Sequence, residues 1–166
     1  HIHDWAPSRR LNLKHRLRYA NARWFCVVRD PVARFLSGYG NRVVHHDDLK
    51  KSEAAVAAAG LPRHPDLVAF IDNLDRYMAL NRAIKHHFLP MVHYLGRRPR
   101  RYDRVFRMSE LPDLVAYLAE AGAQITFPHK QTGGPKLKRD ALPAKSLARL
   151  EKVYAADYDA YGAWFD

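Results

Sequence analysis

Residues 24 to 39 read Trp24-Phe-Cys-Val-Val-Arg-Asp-Pro-Val-Ala-Arg-Phe-Leu-Ser-Gly-Tyr39. The stretch opens as an apolar run, Trp24 to Val28, rich in β-branched and aromatic side chains. Such a run predicts a short strand buried on both faces. It stops at Arg29-Asp30-Pro31. Asp30 suits an N-cap and Pro31 the first helical position, so a helix is expected to begin there. Phe35, Leu36 and Tyr39 then recur at helical spacing and are expected to pack back on the sheet. Arg29 stands at the carboxyl end of the strand, where ligands of open α/β sheets bind. A helix start favours an anion through its N–H groups and dipole. Arg29 adds a bidentate phosphate donor, and Ser37 adds a hydroxyl two turns on. Taken alone, the residues give an anion site at a strand-to-helix turn. They leave open a plain helix cap with a surface salt bridge.

Working outward, 166 residues suit one domain, 1–166, with a sizeable core. Apolar residues make up 48% of the chain, as in an ordinary globular protein. No apolar run reaches the ~20 residues of a membrane span, and no signal peptide is visible. The single cysteine, Cys26, lies in the strand and reads as a small core residue. With one cysteine no internal disulfide can form, which points to a reducing, cytoplasmic compartment.

The formal charge is +11. A field of that sign and size attracts anions: nucleotides, nucleic acid, anionic lipid or acidic sugars. The charge gathers in residues 9–23, 97–107 and 130–139. Ten histidines invite a metal reading, but no cysteine pairs and no H-E-x-x-H spacing support one.

Away from the opening stretch, Ser8 reads as the N-cap of a basic helix to about Tyr19, with Leu11 and Leu17 inward. The opening helix is expected to end near Val44. Lys51–Ala59 favours a second helix, stopped by Gly60. Leu67, Phe70, Ile71, Leu74 and Met78 predict one amphipathic helix from Asp66 to about Arg82 or Ile84. His86–Pro90 reads as an interruption and Met91–Leu95 as extended. Asp103–Met108 alternates as a strand, followed by a helix capped by Ser109 and ended by Gly122. Pro143 opens a last helix, and the aromatic tail 157–165 is expected to dock on the core.

Arg29-Asp-Pro-x-x-Arg34-x-x-Ser37-x-Tyr39 after an apolar strand resembles the 3′-phosphate-binding segment of sulfotransferases. The likeness is to the carbohydrate, heparan-sulfate 2-O-type branch and its bacterial relatives. His87-x-x-Pro90, Tyr102–Leu111, Pro128-His129 and Val153–Gly162 follow in the order of that family's later segments. In the His87 segment Met91 stands where glutamine is usual. The resemblance implies a P-loop-NTPase-like sulfotransferase fold of the α/β class, a short central parallel sheet flanked by helices. It also implies transfer of a sulfuryl group from 3′-phosphoadenosine 5′-phosphosulfate (PAPS) to a hydroxyl, leaving adenosine 3′,5′-bisphosphate.

On that resemblance Arg29 and Ser37 hold the 3′-phosphate, and a histidine upstream of the strand is the general base. His1-Ile2-His3 occupies that place, 26 residues before Arg29. His3, with His1 second, is therefore expected to take the acceptor proton, for which an ordinary imidazole pKa near about 6.5 is suited. The family's Gly-rich, lysine-bearing loop for the 5′-phosphosulfate does not precede residue 29. It is expected to lie, with its strand, upstream of His1. Gly133-Gly134-Pro135-Lys136 is a late substitute, which makes Lys136 a third candidate for donor binding.

The expected acceptor is a carbohydrate or other hydroxyl compound, with an acidic one suited to the charge. No metal, nucleic acid or membrane is required. A competing class is a basic nucleic-acid- or polyanion-binding module without catalysis, but no helix-turn-helix, RNA-recognition or zinc-finger signature accompanies the charge. A nucleotide kinase is disfavoured for want of a phosphate loop and a metal-binding pattern.

Overall fold

A computed structural model describes residues 13–123, 125–126 and 133–165. In chain order, α1 (Leu13–Arg18), β1 (Phe25–Val28) and α2 (Pro31–Gly38) lead into a π-helix, Tyr39–His45. A 3-10 turn (Asp48–Ser52) then precedes α3 (Glu53–Ala58), α4 (Leu67–Asp72), α5 (Leu74–Leu80) and α6 (Arg82–Phe88). After α7 (Val92–Leu95) come β2 (Arg104–Arg107) and α8 (Leu111–Glu120). The chain closes with α9 (Ala144–Val153) and α10 (Ala155–Tyr161). The class is α/β: mostly helical, with one short two-stranded parallel sheet. Among the described residues no helix is long and apolar enough to cross a membrane.

The described residues fall into two compact groups. The first comprises residues up to Arg29, Pro90–Ile125, and those from Ala156 onward. In it β1 and β2 pair in parallel, with Cys26 opposite Val105 and Val27 opposite Phe106. Cys26, Val28 and Val105 face a core completed by Met91, Tyr161, Leu95 and Trp164. On the opposite face Phe25, Phe106 and Tyr117 meet edge to face, with centroids 5.5–6.2 Å apart. Phe25 keeps 36% of its surface in solvent. On that face Phe106 is fully buried but Phe25 is only partly covered by Phe106 and Tyr117, so β1 is well buried on one face only.

Asp157, fully buried, accepts hydrogen bonds from the N–H groups of Met91 and Val92, both at 2.8 Å. That carboxylate caps the turn of α7, so residues 92–95 are helical where an extended piece was expected. A contact 65 residues distant decided the matter, and local pattern could not register it. Leu17 is 71% exposed and does not face inward. α8 is entered through a 3-10 turn, Met108–Glu110, in which the Glu110 carboxylate accepts from the Arg107 N–H at 2.7 Å. The expected cap was Ser109. Gly122 takes φ +82 just beyond the helix, where glycine carries no Cβ penalty.

The second group comprises Asp30–Leu89 and Thr126–Ala155. Its core is aromatic. Phe70 meets Phe88 and Tyr77 at 5.1 Å and Tyr39 at 5.5 Å, and Phe35 meets Phe88 at 5.1 Å. Each buried ring contributes about 2–3 kcal/mol from area alone. Tyr39, Tyr77 and Tyr154 donate their hydroxyls to the carbonyls of Pro65, Pro62 and Phe88 at 2.7–2.8 Å, so burial leaves none of these polar tips orphaned. The long helix expected from Asp66 is three helices, broken at Asn73 and Asn81. Asn81 explains one break: its side chain accepts from the Ile84 N–H and donates to Asp48 O and Ser52 Oγ. α6 then continues through His86 and His87 to a buried Phe88, where an interruption was expected.

Candidate functional site

The strand-to-helix turn forms as its residues dictate. Asp30 Oδ1 accepts from the Ala33 N–H at 2.7 Å, and Pro31 sits buried at the first helical position. This has a chemical consequence. Pro31 has no N–H to offer, and the Ala33 N–H is already taken by a carboxylate. The helix start therefore gives an incoming anion less than its dipole suggests, and side chains have to supply the donors.

Arg29 closes the first group, one residue after Val28, and is partly exposed. Val28 pairs with Arg107, so the carboxyl end of the sheet carries an arginine on each strand. Arg107 is a residue that sequence reasoning left unassigned. Its only signal was its place at the end of an alternating strand.

Ser37 is exposed on α2. Its spacing of seven from Asp30 and four from Ala33 puts all three on one side of the helix. Lys136 is exposed as well. Its glycine-bearing segment is fitted to the π-helix. Gly134, at φ +94, lies so close to the Gly40 carbonyl that a Cβ there would collide with it. A Cβ on Gly40 would in turn meet the Pro135 carbonyl at 2.7 Å, and one on Gly133 would strike the His45 ring. At the far end of the segment, the Arg139 guanidinium reaches Asp30 Oδ2 at 3.8 Å and pairs with Glu151. Lys136 thus belongs to a strap fixed beyond one end of α2 and at the other, along the helix that carries Ser37.

Arg34, the second arginine of the motif, has a different post. It donates from Nη1 to His87 O at 2.9 Å and from Nη2 to Leu89 O at 2.6 Å. Its guanidinium lies 5.5 Å from the centre of the Tyr154 ring, and Tyr154 donates to Phe88 O. Three separated motifs, at Arg34, His87–Pro90 and Val153-Tyr154, are therefore bolted together at the carboxyl end of α6.

The His87 ring is open to solvent on one side. The buried part of its surroundings, with the cations Arg42, His86 and Arg34, pulls its pKa down to about 4 against a smaller opposing pull from Asp48. His87 is neutral at physiological pH. Burial pushes the Cys26 thiol up to about 12, which keeps it protonated and unsuited to attack as a nucleophile. Among the described residues no group of three metal-ligating side chains gathers. His1 and His3 lie outside the described residues.

The model of a family described as "Sulfotransferase family" matches residues 3–165. No curated protein and no solved structure matches the chain.

Proposed function

The chain belongs to the sulfotransferase family, and from that premise we propose that it moves a sulfuryl group from PAPS to a hydroxyl of a carbohydrate acceptor. Adenosine 3′,5′-bisphosphate is the other product. Arg29, Ser37 and Lys136 hold the donor's phosphates: the guanidinium in two-point fashion, the hydroxyl by one hydrogen bond, the ammonium as a point charge. His3, with His1 as second choice, takes the proton of the acceptor hydroxyl as its oxygen bonds to sulfur and the sulfur–oxygen bond to the phosphate breaks. Cations near the transferring group hold the charge that gathers there.

The observation that carries this reading is the family match over residues 3–165. The strap that seats Lys136 along the helix of Ser37 supports it, since both groups are exposed and suit an anion. Thermal shift tests it, with adenosine 3′,5′-bisphosphate set against ATP and a short oligonucleotide. Stabilisation by the bisphosphate, lost in Arg29→Ala, is expected. Stabilisation by the oligonucleotide alone, falling steeply with salt, would refute it.

A further inference from the structure

α2 and the π-helix that continues it carry two arginines, Arg34 and Arg42. Between them, a Cβ on Gly38 would lie 3.3 Å from the Phe88 ring, so this helix runs close along the end of α6. His87 stands at that end. Arg34 donates to its carbonyl oxygen at 2.9 Å. Burial, and after it the positive charges of Arg42, His86 and Arg34, disfavour a proton on the His87 ring, and Asp48 opposes them. These groups therefore stand close enough to act on one ring.

The balance of charge around that ring is positive. Asp48 is 2% exposed and faces Arg42 Nη2 at 2.5 Å and Lys51 Nζ at 3.2 Å. One carboxylate thus answers an arginine and a lysine. Arg34 adds a further cation, whose Nη1 and Nη2 already serve the carbonyls of His87 and Leu89. Arg42 keeps 22% of its side-chain surface in solvent, while its Nε is buried with no hydrogen-bond partner among the described residues. A buried donor is costly until an acceptor reaches it. The π-helix that carries Arg42 is a rare form that recurs at functional sites.

We propose that Arg42 and His87 together receive one tetrahedral oxyanion, a sulfate or phosphate group. Arg42 supplies charge and a guanidinium edge, and the open side of the imidazole supplies an N–H. A neutral ring gives the anion one hydrogen bond, and a protonated ring gives the same bond with a charge behind it. An anion seated among these cations also offsets the field that resists protonation. Anion binding and proton uptake by His87 therefore reinforce each other, each by the same factor. Two sources carry this chemistry. One is free inorganic sulfate. The other is a phosphate of the nucleotide assigned to Ser37, which neighbours Arg34 on α2. In the second use the inference rests on the sulfotransferase reading, while the site itself is measured without turnover.

The test is NMR titration of the His87 ring in sodium chloride and in sodium sulfate at equal ionic strength. It runs from pH 7.5 to the lowest pH at which melting curves show folded protein. Sulfate should raise the midpoint by about one unit, which corresponds to about tenfold tighter hold on the anion by the protonated ring. Sulfate affinity, read by calorimetry, should rise about threefold from pH 7 to pH 4.5, and His87→Gln should abolish that rise. Arg42→Gln should remove the sulfate-induced shift. Arg42→Lys, which keeps a cation beside Asp48 and so guards the fold, should keep less than half of it. Adenosine 3′,5′-bisphosphate that moves the same midpoint and displaces sulfate identifies the nucleotide as the source. A nucleotide that binds and leaves the effect of sulfate intact identifies free sulfate. A midpoint that sulfate does not move overturns the site, and so does a full shift in both folded Arg42 variants. If sulfate moves the ring but the bisphosphate gives no melting shift, the donor reading fails and the site stands.

Discussion

Arg34 donates to the carbonyl oxygen of His87 at 2.9 Å, across 53 residues of chain. A charged donor that satisfies the last carbonyls of a helix does two jobs. It closes the end of α6, and it fixes that end against α2. The motif arginine nearest Ser37 is therefore part of the frame and not part of the grip on an anion. Arg34→Ala should cost about 2–4 kcal/mol, from two charge-assisted hydrogen bonds and a ring contact. Arg34→Lys should recover less than half, because one ammonium cannot span both carbonyls. Urea unfolding checks both. A fully stable Arg34→Ala that no longer binds adenosine 3′,5′-bisphosphate would make Arg34 an anion ligand instead.

The strap should behave as a fitted part. Gly134→Ala places a Cβ against the Gly40 carbonyl at a φ that side chains rarely adopt, a strain of about 1–3 kcal/mol. The strap is expected to lift and carry Lys136 with it. Bisphosphate affinity, read by calorimetry, should fall about tenfold, and Lys136→Ala should give a similar loss. Equal affinities for wild type and both variants would remove Lys136 from the donor site.

His87 should give stability a pH dependence of known sign. Its pKa is about 4 in the folded chain and near about 6.5 when unfolded. The unfolded state therefore binds the proton more readily. Its contribution is fully present above pH 6.5 and is lost as pH falls toward 4. Chemical denaturation at pH 7.5 and 5 should show the wild type losing more stability than His87→Gln. NMR titration of the ring should place its midpoint below that of a solvent histidine. An ordinary midpoint would contradict the assigned surroundings.

The opening stretch was legible because its signals are local: an apolar run, a capping aspartate and a proline at the first helical position. The strand at Arg104–Arg107 was legible by alternation, and its parallel pairing only through the family resemblance. The helix of Met91–Leu95 was not, since the cap comes from Asp157 in the tail. The breaks at Asn73 and Asn81 were masked by a period that runs unbroken through them. The candidates for the site were named in the same local way, Arg29 and Ser37 from the motif and Lys136 from its glycines, and their hold on a donor is a proposal. What the pattern could not give was division of labour: Arg34 stands in the motif without a role until its carbonyl partners are seen.

Cys26 should resist thiol reagents in the folded chain. It is buried, with its pKa pushed up to about 12, so almost no thiolate exists at pH 8. Labelling should track unfolding, and denaturant should restore an ordinary rate. Rapid labelling under native conditions would mean that this strand opens freely.

Asp157→Asn should be among the costlier single changes. The carboxylate is fully buried and accepts from two backbone N–H groups. An amide offers one acceptor and turns a donor toward the other N–H. A loss of about 2–3 kcal/mol is expected, visible as a lowered melting temperature.

The central claim is that the segment from Arg29 to Ser37 grips a 3′-phosphate. Isothermal titration tests it directly by comparing adenosine 3′,5′-bisphosphate with adenosine 5′-monophosphate, which differ by that phosphate alone. The wild type should favour the bisphosphate by tenfold or more, about 1.4 kcal/mol for each factor of ten. Ser37→Ala and Arg29→Ala should each erase most of that preference while leaving affinity for the monophosphate nearly unchanged. Equal affinity of the wild type for the two nucleotides, or a preference that survives both substitutions, would contradict the account.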